Sequence, residues 1–470
     1  MTAVPIAADD RASRRPRSST LIGRLARVLL ALGFGAALAP SALADPGSAR
    51  WASVAPTAAA PDFQAWVQST WIRQLKDPFR SPYAGGRSLS GEREASYSLT
   101  MGMALGWRLA PGLELHLNPE AAQGVPLSGL NGLGGFPNAE LSRAGSPDIQ
   151  GYLARAFLRR TWGLGGEREA VAGEPGQLEG LQDRRRLVLT AGKVSLMDLF
   201  DDNRWAHDPR TQFTNLAFGT HGAYDFAADV RGYTWGAALE FIDGDRAIRV
   251  GRFAQPREPN QMALDPRLGR HHGDQIEFEQ GWRLQDREGR LRLLLFRNQT
   301  VMGRWQDAIA QAGGAVPDIT AVRSGRRAKR GIGLNLEQEI APGVGLFARA
   351  LRADGQTEPY AFAEIDRSRS AGMLAQGGAW GRPQDAFGFA IARHDLSSAH
   401  RDYLAAGGLG YFVGDGRLSP AGERIVEVFY RVLIADGTWL SLGRQHIANP
   451  GYNADRGPVS VTMLRLHLAR

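Results

Sequence analysis

The chain contains no cysteine, which excludes disulfide scaffolds, thiolate zinc sites and thiol catalysis. It contains only three lysines, Lys76, Lys193 and Lys329, so its basic charge is almost all arginine. Beyond the first 45 residues no apolar run is long enough for a spanning helix, which excludes helical channels and transporters. The formal net charge of +8 is not a nucleic-acid signal. Residues 1–44 hold six Arg against two acids, so the remaining chain is close to balance, and base composition explains the arginine bias. No G-x-S-x-G elbow occurs, and Gly132-Leu133-Gly134-Gly135 lacks the strand–turn–helix setting of a phosphate loop. His271-His272 has no third ligand at suitable spacing and reads as solvated loop; no cofactor and no metal is expected.

What the chain does have begins with an address. Arg14, Arg15, Arg17, Arg24 and Arg27 form a basic region, Val28–Leu38 a short apolar one, and Ala42-Leu43-Ala44 offers small residues for cleavage. Residues 1–44 are therefore expected to be a signal peptide, 45–62 a linker, and 63–470 the folded domain.

From residue 63 the dominant pattern is alternation with period two. Tyr97, Leu99, Met101, Met103, Leu105 and Trp107 form one apolar face; Ser98, Thr100, Gly102, Ala104 and Gly106 form the other. Aromatics end the apolar face, and the span is about 33 Å at roughly 3.3 Å per residue. Similar alternation recurs at Tyr233–Phe241, Ile276–Leu284, Ile332–Ile340 and Val426–Ile434. In a soluble sandwich the charged face meets solvent, whereas in a membrane barrel the apolar face meets lipid. Terminal aromatics, export and many strands of eight to twelve residues favour the membrane. The expected fold is an all-β, transmembrane antiparallel barrel of the outer membrane. About sixteen strands are counted, within a range of fourteen to eighteen, from 63–75 to 458–469, and an even number closes every hydrogen bond. In the last segment Val459, Val461 and Met463 share one phase and Leu464, Leu466 and Leu468 the other, which implies a bulge or a lumen-facing apolar patch. Stretches 120–150, 197–229 and 306–328 read as too irregular for strands, and at least one such loop is expected inside the lumen.

Several blocks carry a resemblance. They are Ser81-Pro82-Tyr83-Ala84-Gly85, Asn118-Pro119-Glu120, Gly135-Phe136-Pro137-Asn138-Ala139-Glu140 and Ala154-Arg155-Ala156-Phe157-Leu158-Arg159. The most specific is Phe200–Arg210 with Phe213, and Asn449-Pro450-Gly451-Tyr452-Asn453, Arg456-Gly457-Pro458-Val459 and Leu464-Arg465-Leu466-His467 close the set. Over about residues 63–470 the chain resembles the carbohydrate-selective porins of the OprB family. Similar porins end in an aromatic residue that is part of the assembly signal; this chain ends in Arg470.

The resemblance implies a sixteen-stranded channel for mono- and oligosaccharides, not an enzyme. A general ion-conducting porin, or a barrel enzyme or adhesin, are the alternatives. The implied partners are sugars as permeants, outer-membrane lipid and the barrel-assembly machinery; a homotrimer is considered, and nucleic acid is not. Lumen-phase Glu240, Glu277, Glu279, Arg283, Glu337, Glu339, Arg349, Glu427 and Arg431 supply both signs of charge, either toward sugar or as a generic wet wall. In the 200–213 segment, Asp201, Asn203, Arg204, Trp205, His207, Asp208 and Arg210 form either a constriction contacting sugar or a loop held by internal ion pairs. In the first case Arg204 and Arg210 donate to hydroxyls, Asp201 and Asp208 accept from them, and Trp205 stacks on a pyranose ring.

Overall fold

The structure, a computed structural model, describes residues 61–141, 145–361 and 364–470. The expected signal peptide and all but the end of the expected linker lie outside the described residues.

Eighteen strands are described. They are β1 (Phe63–Lys76), β2 (Glu94–Ala110), β3 (Leu113–Val125), β4 (Gln150–Gly163), β5 (Arg168–Val171) and β6 (Gly180–Asp183). Next come β7 (Arg185–Val194), β8 (Thr234–Asp243), β9 (Arg246–Ala254), β10 (His272–Leu284), β11 (Arg287–Val301) and β12 (Arg326–Ala341). The last six are β13 (Val344–Ala353), β14 (Arg367–Gln376), β15 (Ala386–Asp395), β16 (Glu423–Ala435), β17 (Thr438–Ala448) and β18 (Val459–Ala469). All but β5 and β6 pair antiparallel with their chain neighbours and close into one sixteen-stranded barrel through β1 and β18. At that seam Val67 and Arg470 exchange backbone hydrogen bonds of 2.7 and 2.9 Å. A closed ladder leaves no strand edge for lipid to meet.

The connections alternate in length. Short turns join β2–β3, β8–β9, β10–β11, β12–β13 and β16–β17, and long loops fill the other end. In outer-membrane barrels the short-turn end faces the periplasm. Gly112 and Gly343, each preceded by proline, turn two of these corners with φ of 69° and 71°, where a side chain is strained.

The alternation sorts the faces as the sequence implies. Leu239, Ile248, Val250, Ile276, Phe278, Ile332 and Leu334 point out and stay exposed. Outward aromatics mark both ends, with Trp235 near the long loops and Trp162 and Tyr430 near the short turns. Tyr233 departs from its expected place on the apolar face. It precedes β8, is buried, and donates to Glu120 at 2.8 Å.

The inside is not uniformly polar. Phe347, Ile425, Phe429, Ile447, Val459 and Val461 face inward and pack on Trp205, Phe213 and Phe218 of the 195–233 loop. Phe213 sits 5.2 Å from Phe429 and 5.6 Å from Phe347. This settles the phase change in the last strand. β18 keeps continuous register with β17, so there is no bulge, and Val459, Val461 and Met463 form a lumen-facing apolar patch. The loop docks by burying that patch, in the same way that a core forms.

Three local expectations need correction. Residues 120–125 and 326–328, expected to be too irregular for strands, belong to β3 and β12; the rest of 306–328 is strand-free and includes the helix Trp305–Ala312, its Trp305 ring stacked 4.1 Å from His400. His272 is not solvated loop but the buried first residue of β10. Two short strands, β5 and β6, interrupt the β4–β7 connection.

Candidate functional site

Two long loops enter the barrel from the same end. The 126–149 loop places Phe136 to Glu140 inside: Gln74 and Gln445 both donate to the Pro137 carbonyl, at 3.0 and 2.8 Å. The 195–233 loop packs beside it, with the Ala139 amide donating to Thr214 O at 3.0 Å.

A buried loop carries backbone groups that need partners, and the inward side chains of the wall supply them. Glu277 accepts from the Asp201 amide at 2.7 Å and Glu337 from the Arg204 amide at 2.6 Å. Glu427 accepts from the amides of Thr214 and Asn215 at 2.7 and 3.0 Å. Arg431 donates to Thr211 O at 3.2 Å, and Arg465 to Pro209 O and Gln212 O at 2.7 Å each. Glu277, Glu337, Glu427 and Arg431 point inward, where they bind loop backbone and do not form a wet wall.

Asp201 is the central anchor. Its backbone is left-handed at φ 57°, its side chain is buried, and it pairs with Arg349 at 3.1 Å. It also accepts from the Asn335 amide group at 2.6 Å, the Thr220 hydroxyl and the His221 backbone amide. Burial alone would raise this carboxyl; Arg349, His221 and the hydrogen bonds overcome it and hold it below the usual carboxylate range. Burial pushes the neighbouring His221 imidazole down to about 4, Arg349 adds to this, and Asp201 opposes it.

The rest of the segment divides by exposure. Asn203 bridges to Asn335 at 2.7 Å. Trp205 is 2% exposed and lies on Gly345, where a side chain would meet the ring at 1.8 Å. The Arg204 guanidinium stands over it 4.8 Å from the ring centre. No open face is left for a pyranose, which corrects the stacking role expected of Trp205. The ion pairs of Arg204 and Arg210 reach acids outside their own segment. Arg204 reaches Glu339 at 3.9 Å, and Arg210 reaches Glu140 at 2.9 Å and Glu120 at 3.5 Å. Asp208 caps a local turn, accepting from the Arg210 amide and the Thr211 hydroxyl. His207 is half-buried, its amide donating to Gln212.

The charged groups inside the barrel come from both loop and wall; Arg155, Asp198 and Asp202 stay partly open, whereas Glu240, Glu277, Glu279 and Arg292 are buried. Arg155 of β4 forks onto Asp198 at 2.6 and 2.7 Å, with Asp198 37% exposed. Asp202, 32% exposed, faces Arg292 at 3.9 Å. On β8–β11, Arg249 bridges Glu240, Glu277 and Glu279 at 2.9, 3.0 and 2.9 Å. Glu279 also receives Arg290 and Arg292 at 2.8 Å each. Arg283 lies outside this array: it is exposed at the β10–β11 turn and pairs with Glu288 at 3.1 Å.

Arg249, Arg155 and Asp198 were not singled out from the sequence as candidate site residues. Arg249 was legible, because it sits between outward Ile248 and Val250. Arg155 was harder, because an irregularity opposite Asn118-Pro119 shifts the phase of β4. Among the described residues no cluster of His, Cys, Asp or Glu is arranged to hold a metal.

Residues 87–469 match the family described as carbohydrate-selective porin, OprB family. A structure of Pseudomonas putida OprB superposes with a TM-score of 0.66 at 15% identity, covering 87% of this chain and 94% of that one. Pseudomonas aeruginosa OccK2 (OpdF) gives a TM-score of 0.44 at 11% identity, with 87% and 97% coverage. No curated protein sequence matches the chain. A family match across most of the barrel, on a closed sixteen-stranded fold with loops turned inward, identifies the chain as a member of the OprB family of carbohydrate-selective porins.

Proposed function

We propose that this porin lets neutral mono- and oligosaccharides diffuse passively across the outer membrane into the periplasm. The observation that carries this is the mutual neutralisation of the charges left inside the barrel. Arg155 meets Asp198, Arg249 meets three glutamates, and Arg290 and Arg292 share Glu279. Paired charges leave little net field to draw an ion, yet they keep many donors and acceptors for hydroxyl groups. A pore must also release what it binds, so several weak contacts suit it better than one tight site.

The contacts offered to sugar are Arg155, Asp198, Asp202 and Arg204, which stay partly exposed. Asp201, Asn203, Trp205 and Arg210 hold the loop in place behind them. The Arg155→Gln/Asp198→Asn double variant removes both members of that pair, and Glu120, 3.8 Å from Arg155, keeps Arg210 at 3.5 Å. In proteoliposomes it should slow glucose- and maltose-driven swelling severalfold while KCl conductance changes little. Equal swelling rates would move selectivity away from this pair. A conductance change with unaltered sugar flux would favour a general ion-conducting porin.

A further inference from the structure

Residues 164–184 join β4 to β7 at the short-turn end and carry the separate β5–β6 hairpin. Its tip turns into the barrel. Leu178 is fully buried, and a side chain at Gly106 would meet it at 2.8 Å. The Leu178 amide donates to Glu114 at 3.2 Å, and the Glu179 amide to Gln64 at 2.9 Å. Arg108 donates to Glu179 O at 2.8 Å, and Arg159 to the Gln177 side chain at 3.3 Å. Gln64, Gly106, Glu114 and Arg159 are lumen-phase positions on β1, β2, β3 and β4. The tip is thus fastened to the inner wall across four strands.

The other side of the hairpin faces open space. Glu167, Arg168, Glu169 and Arg184 border a cavity of about 360 Å³. Asp245, Arg283, Glu288 and Arg290, on the turns of the neighbouring β8–β11 strands, border its other side. Acids and arginines are equal in number on each side, so the cavity is charge-balanced like the array above it. Its volume lies within the roughly 300–1,000 Å³ range of small-molecule sites. The 195–233 loop thickens the β10–β18 wall, and this hairpin thickens the β1–β4 wall at the periplasmic end.

We propose that the 164–184 hairpin is an exit filter: it narrows the periplasmic mouth, and its charge-balanced cavity holds a permeating oligosaccharide before release. This rests on the sugar-porin reading. It explains Arg283, which the upper array leaves unused. It also explains why a barrel whose connections at this end are otherwise tight turns, or the nine residues 377–385 between β14 and β15, spends some twenty residues at this one.

The test replaces residues 165–184 with Asn-Gly. The Leu164 amide already donates to Arg185 O at 2.9 Å, so the shortened ends are in position for a two-residue hairpin turn. Single-channel KCl conductance should rise roughly twofold or more, and swelling with maltohexaose should gain more than swelling with glucose. Unchanged conductance and an unchanged size series would overturn the filter. If the deletion does not insert, the Arg168→Gln/Arg184→Gln variant decides, because it keeps the hairpin and leaves the mouth acidic. Its potassium-over-chloride permeability ratio should rise severalfold, and an unchanged reversal potential would overturn the proposal. Wild-type protein that conducts salt but passes no sugar would contradict the sugar-porin reading. The conductance of the two variants still judges the hairpin separately.

Discussion

Asp201 shows what a single residue does for the lumen. It is a buried carboxylate with a buried arginine partner, Arg349, at 3.1 Å. Removing one member of such a pair leaves an uncompensated charge, at a cost of about 3–5 kcal/mol. Arg349→Ala should therefore undock the 195–233 loop, lower the urea midpoint of the folded barrel and add open-channel noise to single-channel records. Quiet records and an unchanged midpoint would show that the loop is held by its apolar contacts alone. The same site gives a pH dependence. An undocked His221 takes up a proton near its ordinary pKa of about 6.5, whereas the docked one does so only at about 4. The docked state thus binds fewer protons between these values, and docking weakens as pH falls through that window. Asp201 has the depressed carboxylate pattern: its contribution is complete above about pH 4 and is lost as pH falls further. Current noise should therefore grow as pH drops from 7 to 5, and His221→Gln should flatten that rise. A rise of equal size in the variant would place the titration elsewhere.

At the scale of the element, each strand has one face for lipid and one for whatever fills the barrel. The lipid face was legible because nothing competes for it: Ile248 and Val250 flank Arg249, and the alternation reads directly. The lumen face was legible in phase but not in use. Glu277, Glu337 and Glu427 read as channel lining, yet in three dimensions they cap loop amides that no local pattern reveals. Trp205 read as a sugar platform because aromatic and charged residues crowd its segment; its burial depends on Gly345, far away in sequence. The hairpin of β5 and β6 was missed because four-residue strands carry too little periodicity. The strand assignment is testable on β2, where Met103 points out and Ala104 in. Cysteine at 103 should react with lipid-soluble maleimides and cysteine at 104 with water-soluble ones. Gly102 is a poorer inward probe, since a side chain there would meet Glu120 at 3.3 Å. Equal labelling of 103 and 104 by the water-soluble reagent would contradict the outward face.

At the scale of the whole molecule, the barrel is a scaffold whose lumen is filled from both ends. Loops from the long-loop end cover the β10–β18 side with apolar contacts, and the β4–β7 hairpin covers the β1–β4 side near the short turns. What remains between them is bordered by arginines and carboxylates already paired with one another. An array of this kind suits an uncharged solute rich in hydroxyls and offers little to a bare ion. Carbohydrate permeation is therefore tested most directly by the swelling of proteoliposomes in isosmotic sugar alongside single-channel current in KCl. Glucose and maltose should drive swelling well above protein-free liposomes, and added sugar should reversibly reduce the KCl current. Swelling at the protein-free rate, with a current indifferent to sugar, would contradict it.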